Sequence, residues 1–258
     1  IVRSHMTAAA PNPLLVAIEL HSADGIRSEI ASGIDPDAPV DGQRPVDHLI
    51  HMYTRSERFA DCFRTLLELG ATFADDAVRL TLLDDGQGLS AALRADPAML
   101  SQRVSLPSAY TSLFDVSLLH VAAEFGNLRA ARALIDAGAD FESRAGVDSD
   151  GFGGHTPIFH TVNSNQNHCE SVLRLLLESG ASVDVLVEQI IWGRDLPWET
   201  PVFDVTPVSY AMMGLSRQFH REEIDVFANI ALMLDSVGRK VAPFRNVPNR
   251  YLTPKHET

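Results

Sequence analysis

Ser117-Leu118-Leu119-His120-Val121-Ala122-Ala123-Glu124-Phe125-Gly126, continuing from Asn127 to Asp140, is the stretch that decides the fold. Its last residues, Ala137-Gly138-Ala139-Asp140, recur in varied form as Ser32-Gly33-Ile34-Asp35, Leu69-Gly70-Ala71-Thr72 and Ser179-Gly180-Ala181-Ser182. The four glycines are 37, 68 and 42 residues apart. That fits a unit of about 33 residues with insertions, the longest gap spanning two units with a degenerate one between them. Each glycine stands where a helix needs a left-handed C-terminal cap, a conformation that costs glycine nothing sterically. A helical apolar pattern precedes each one, clearest at Val172, Leu173, Leu175, Leu176 and Leu177.

On these residues the chain strongly resembles the ankyrin repeat family. In that family the first helix opens Thr-Pro-Leu-His-x-Ala, a glycine turns the chain, and the second helix ends Leu-Leu-x-x-Gly-Ala-Asp. Leu119, His120 and Ala122 match the opening, Gly126 takes the turn, and Gly138-Ala139-Asp140 closes the unit. Ser117-Leu118 replaces Thr-Pro, but that pair returns as Thr156-Pro157 and Thr206-Pro207. Threonine can cap a helix start, and proline at the first helical position loses no hydrogen bond. The resemblance implies an all-α fold: an ankyrin-like solenoid of about six helix-turn-helix repeats with a long inter-repeat loop or hairpin insertion. The units fall at about 14–40, 41–74, 75–104, 113–143, 153–184 and 205–240, with the insertion at 185–205. Stacking is required because one unit cannot cover its own apolar faces.

The insertions against the repeat are where function is expected. Gly138 to Thr156 is longer by about six residues, the stretch between Val162 and His168 by about three, and Val185 to Val205 by about fourteen. The last holds Trp192 and Trp198, and its β-branched start followed by Gly193-Arg194-Asp195-Leu196-Pro197 suggests a hairpin. Each indole either folds back over the junction of two units or stands out as a binding anchor. Arg194 is outnumbered there by Glu188, Asp195, Glu199 and Asp204, which favours a partner with a basic or mixed-charge surface. The resemblance places Glu124, Phe125, His155, Asn163 and Ser164 on the face the first helices share, where the family takes its partners. His51, Met52, Asp84 and Asp85 fall at similar places in weaker units. An exposed Phe125 would need a partner or a neighbouring loop to cover it.

Composition narrows the classes. With 45% hydrophobic and 21% charged residues the chain is neither disordered nor fibrous. A net charge of −13 argues against nucleic acid, and no apolar run is long enough to span a bilayer. Two cysteines, Cys62 and Cys169, build no disulfide framework, and without a signal-like leader the expectation is a cytoplasmic protein. His155, His160, His168 and Cys169 match no compact zinc spacing, Cys169 lacks a nucleophile elbow, and Gly151-Phe152-Gly153-Gly154 lacks the lysine of a phosphate loop. No cofactor and no metal is expected, and His120 is expected to serve a backbone hydrogen bond. Ile1–His5 reads as an expression-tag remnant, and residues 241–258 as a basic, proline-containing tail. The expected function is a non-enzymatic protein–protein interaction scaffold. The alternatives are a regulatory or inhibitory accessory subunit of an enzyme, and a metal-dependent or cysteine hydrolase.

Overall fold

Helices in this computed structural model, which describes residues 12–196, 199–213 and 222–239, come in consecutive pairs. The first three are α1 (Pro13–Glu19) with α2 (Ala23–Ala31), α3 (Pro45–His51) with α4 (Phe59–Glu68), and α5 (Asp76–Leu82) with α6 (Gly86–Ala95). A 3-10 turn at Pro97–Ser101 leads to strands β1 (Arg103–Leu106) and β2 (Leu113–Ser117), and β2 runs directly into α7 (Leu118–Glu124) and α8 (Leu128–Asp136). In the next unit two 3-10 turns, Pro157–His160 and Asn165–Asn167, precede α9 (Glu170–Glu178). Strands β3 (Val187–Trp192) and β4 (Thr200–Val205) then separate it from α10 (Pro207–Met213) and α11 (Glu223–Ser236).

Pairs dock on pairs: α1 on α3, α2 on α4, α5 on α7, α6 on α8, α8 on α9, and α11 on α9. Ala122, Ala123, Ala130 and Ala131 are fully buried, so α7 and α8 approach closely, while Leu119, Leu134, Leu173 and Leu176 fill the seams between units. Each buried leucine contributes about 2 kcal/mol, and only a neighbouring unit removes it from water. The caps are local. Asn12, Ser22, Asp75 and Asp85 each accept from a backbone N–H in the first turn that follows. Gly33, Gly70, Gly138 and Gly180 all sit at φ between 93° and 106°, and Ala71, Ala139 and Ala181 each donate back to a carbonyl in the preceding helix at 2.9 Å.

Two expectations are corrected. The fold is not all-α. β1 and β2 form one antiparallel two-stranded sheet, with Arg103 opposite Ser117 and Leu106 opposite Leu113, and β3 and β4 form another, with Gln189 opposite Phe203 and Trp192 opposite Thr200. Both sheets lie in the chain between helix pairs, where the backbone runs out and back and satisfies its polar groups across the hairpin. The unit at 153–184 also lacks an α-helix at its Thr156-Pro157 opening: consecutive left-handed residues, Gln166 at φ 49° and Asn167 at φ 56°, leave only short 3-10 turns there.

Candidate interaction surface

The face shared by the first helices is closed by the chain itself. Glu124, at the end of α7, is 5% exposed, and Arg55, from the loop before α4, is 2% exposed. Arg55 Nη2 lies 3.5 Å from Glu124 Oε1, its guanidinium sits 4.5 Å from the Phe125 ring centroid, and it donates to Met52 O. Phe59 covers Phe125 from another side, at 4.5 Å between centroids. The loop 52–58 therefore supplies the cover that Phe125 requires.

A polar chain continues from Glu124 into the next unit. His160 Nδ1 donates to Glu124 Oε2 at 2.8 Å, which leaves His160 Nε2 to accept from His155 Nε2 at 3.1 Å. His155 Nε2 lies equally close to Ser112 O, so that nitrogen carries the hydrogen. His120 takes the same tautomer: its Nδ1 accepts from the Ser117 N–H and hydroxyl, and its Nε2 donates to His155 O at 3.1 Å. Burial is the largest cause that holds His120 and His155 well below the ordinary histidine value, with the neighbouring His160 next. His120 and His155 are neutral struts.

The remaining expected residues fall as follows. Asn163 is buried, with Nδ2 donating to Tyr210 O at 2.6 Å, and Ser164 Oγ accepts from Cys169 N. Asp84 accepts from Ala130 N at 2.8 Å and Arg129 Nε at 3.0 Å, fastening the start of α8, while Asp85 accepts from Gly88 N as a cap. His51 and Met52 line a small open hollow of about 160 Å³ together with Ala109 and Leu196. Trp192 is 7% exposed and stacks on Tyr110 at 5.8 Å, with its backbone bridged to Thr111. Tyr110 Oη in turn donates to Tyr53 O, so the second hairpin is tied through Tyr110 to the loop before α4. Arg194 is held by Asp148 at 3.0 Å and Asp150 at 2.6 Å, over the Phe152 ring. Glu199 is exposed and accepts from Asp195 N. Trp198 and the 241–258 tail lie outside the described residues.

The chemical alternatives meet a closed interior. Cys169 is fully buried, burial pushes its thiol far up, and its Sγ rests 3.3 Å from His168 Nε2 and 3.7 Å from Glu124 O. Among the described residues no group of three or more His, Cys, Asp or Glu side chains is placed to hold a metal ion, and no helix is long and apolar enough to cross a membrane.

What stays open is a surface across three adjoining fingers: the β1–β2 hairpin, the loop at 144–154 and the β3–β4 hairpin. Phe114 is 46% exposed, Val147 59%, Leu186 56% and Phe203 59%. The fingers are fastened together. Gly146 N donates to Asp115 O, Arg144 Nη1 donates to Gly154 O at 2.8 Å and to Leu186 O, and Gly153 N donates to Gln189 O at 3.1 Å. Phe152 and Phe203 pack with centroids 6.4 Å apart. Over the three fingers Arg103, Arg144 and Arg194 face a larger set of acids: Asp115, Asp148, Asp150, Glu188, Asp195, Glu199 and Asp204. Arg103 and Arg194 are paired within the surface, so the uncompensated charge is negative.

Sequence reasoning did not single out Arg55, nor the exposed apolar side chains. Arg55 carries no local signal, because its partners Glu124 and Phe125 come from a unit about seventy residues on. Phe114 and Phe203 carry no alternation signal either, since each is exposed together with the acid that follows it, Asp115 or Asp204, both at positive φ. Comparison with known proteins bears on the stretch that opened the reading: residues 115–145 match the family model of the ankyrin repeat, and no curated protein matches the chain. The match begins in β2, takes in α7, the Gly126 turn and α8, and ends beyond the Gly138 cap. With that match on this geometry, the chain contains one stretch, residues 115–145, that the ankyrin repeat model identifies as a repeat.

Proposed function

We propose that this protein is a non-enzymatic interaction module that docks a partner protein on its three-finger surface rather than in the face shared by its first helices. An ankyrin repeat supports a protein–protein interaction role in general. The observation that carries the finer reading is the set of exposed apolar side chains, Phe114, Val147, Leu186 and Phe203, on fingers hydrogen-bonded to one another. Large apolar side chains gathered on a braced surface favour a contact, since burying each one removes unfavourable hydration. The acidic surround favours a partner with basic or mixed charge. Glu124, Phe125, His155 and Asn163 act in this reading as the struts that keep the units in register.

The test compares capture of binding proteins from an extract of the native host by wild type and by Phe114→Ser/Phe203→Ser. Both positions are exposed, so the double variant is expected to fold with an unchanged melting temperature and to lose the captured protein. Undiminished capture by a folded double variant overturns the finger-surface reading.

A further inference from the structure

The chain leaves its last helix beside the fingers. Gly238, at φ 67°, follows the end of α11, and Arg239 N donates back to Leu234 O at 2.9 Å, so the backbone reverses there. Arg239 Nη2 then lies 3.0 Å from Asp184 Oδ1, and Asp184 stands two residues before the exposed Leu186. Residues 240–258 continue from that point.

Surface and tail carry matching patterns. Every exposed apolar side chain of the fingers has an acid close to it in the chain: Asp115 follows Phe114, Asp148 follows Val147, Asp204 follows Phe203, and Asp184 and Glu188 flank Leu186. Glu188 and Asp204 form no ion pair among the described residues. In the tail, Lys240, Arg245, Arg250 and Lys255 recur at every fifth residue against one acid, Glu257. Val241, Phe244, Val247, Tyr251 and Leu252 stand between these cations. Pro243, Pro248 and Pro254 have a fixed φ and no N–H, which suits an extended course held by side chains rather than a helix or an added strand.

We propose that residues 240–258 of this chain lie across the fingers as an autoinhibitory strap that the partner protein must displace, a proposal that rests on the finger surface being the docking surface. The tail offers the chemistry expected of the partner, apolar groups spaced by cations, and is a tethered imitation of it. From Lys240 to Lys255 an extended course at about 3.1 Å per residue reaches about 45 Å, enough to cross three fingers that are hydrogen-bonded side by side. Its starting point at Asp184 favours this chain's own tail over a free one, because a short tether supplies an effective concentration on the order of millimolar. Contacts between exposed charges are individually weak, so the strap stays displaceable.

The probe is the synthetic peptide of residues 240–258, added to the full chain and followed by NMR. One full-chain variant has its tail charge-reversed, Lys240→Glu/Arg245→Glu/Arg250→Glu/Lys255→Glu; a second, Phe244→Ser/Tyr251→Ser, keeps the charge and removes apolar contacts. Both vacate the surface. Each should bind the peptide saturably, with shifts at Phe114, Val147, Leu186 and Phe203 that weaken with salt. Wild type, whose own tail competes, should bind it at least about tenfold more weakly. Equal binding by wild type and both variants overturns the strap, and so do shifts confined to another face. Absence of peptide binding to either variant, with host-partner capture still lost in Phe114→Ser/Phe203→Ser, overturns the strap alone. Undiminished capture by that variant removes the docking surface and with it the inhibitory role, even where the peptide still shifts the fingers. Dimerisation of wild type that charge reversal abolishes makes the tail of a second copy the occupant and overturns the proposal.

Discussion

Arg55 and Glu124 form a buried ion pair, 3.5 Å from Nη2 to Oε1, between a loop of the second helix pair and the end of α7 in the fourth. The guanidinium also stacks on Phe125, and the other carboxylate oxygen takes the His160 N–H. Removing one member leaves the other charged and buried without its partner, a cost of about 3–5 kcal/mol. Arg55→Met and Glu124→Gln should each lower the urea midpoint substantially, and the double variant should lose less than the sum of the two. Additive losses in a double-mutant cycle would mean that the two residues are not coupled.

The buried imidazoles make the fold acid-sensitive above the carboxylate range. Burial first, and then the Arg55 charge, lowers His21 to about 4; burial holds His120, His155 and His168 below the ordinary value of about 6.5. Folded, these histidines bind fewer protons than they do unfolded. Their contribution is therefore present in full above about pH 6.5 and is lost as the pH falls, for His21 until about pH 4. Stability by urea titration should drop between about pH 7.5 and pH 5, and His21→Gln should flatten part of that slope. A stability independent of pH over that interval contradicts neutral, buried rings.

Two glycines separate conformational from steric cost. Gly138 at φ 93° has nothing within 4 Å of where a Cβ would stand, so Gly138→Ala meets only the left-handed backbone penalty, about 1–2 kcal/mol. Gly126 at φ 66° carries the same penalty, and its Cβ would lie 2.7 Å from His168 Cδ2. Gly126→Ala should therefore destabilise more than Gly138→Ala by thermal or urea unfolding, and the reverse order would contradict the contact between the Gly126 turn and His168.

Thiol chemistry reports on the closed interior. Cys62 and Cys169 are both fully buried; burial pushes Cys62 up to about 11 and Cys169 further. A thiol-exchange reagent at about pH 8 should leave both untouched in the native protein and modify both in urea. Rapid native labelling of Cys169 would show an opening that this packing lacks.

Much of the repeat was legible because its signals are local. Gly33, Gly70, Gly138 and Gly180 were expected in the left-handed region and lie there, since a helix cap depends on a few neighbouring residues. His120 was expected to serve a backbone hydrogen bond and donates to His155 O. The hairpin of β1 and β2 was not expected, because its pairs, Arg103 with Ser117 and Leu106 with Leu113, join residues on either side of what reads as a connection between two units. Glu124, Phe125 and Asn163 were expected at a partner face because their spacing is that of the family. Their burial depends on Arg55, Phe59 and Tyr210, which reach them from other units.

The amino-acid order by itself determined the glycine caps that end the helices and the leucines that bury between them, because each of these is set within one repeat length by periodicity and by glycine. Only the tertiary structure decided which face is open. Loop 52–58, Tyr110 and Trp192 close the face of the first helices through contacts between residues distant in the chain, and Phe114, Val147, Leu186 and Phe203 are left in solvent on the fingers. Exposure depends on what the rest of the chain covers, and spacing within a repeat carries no record of that.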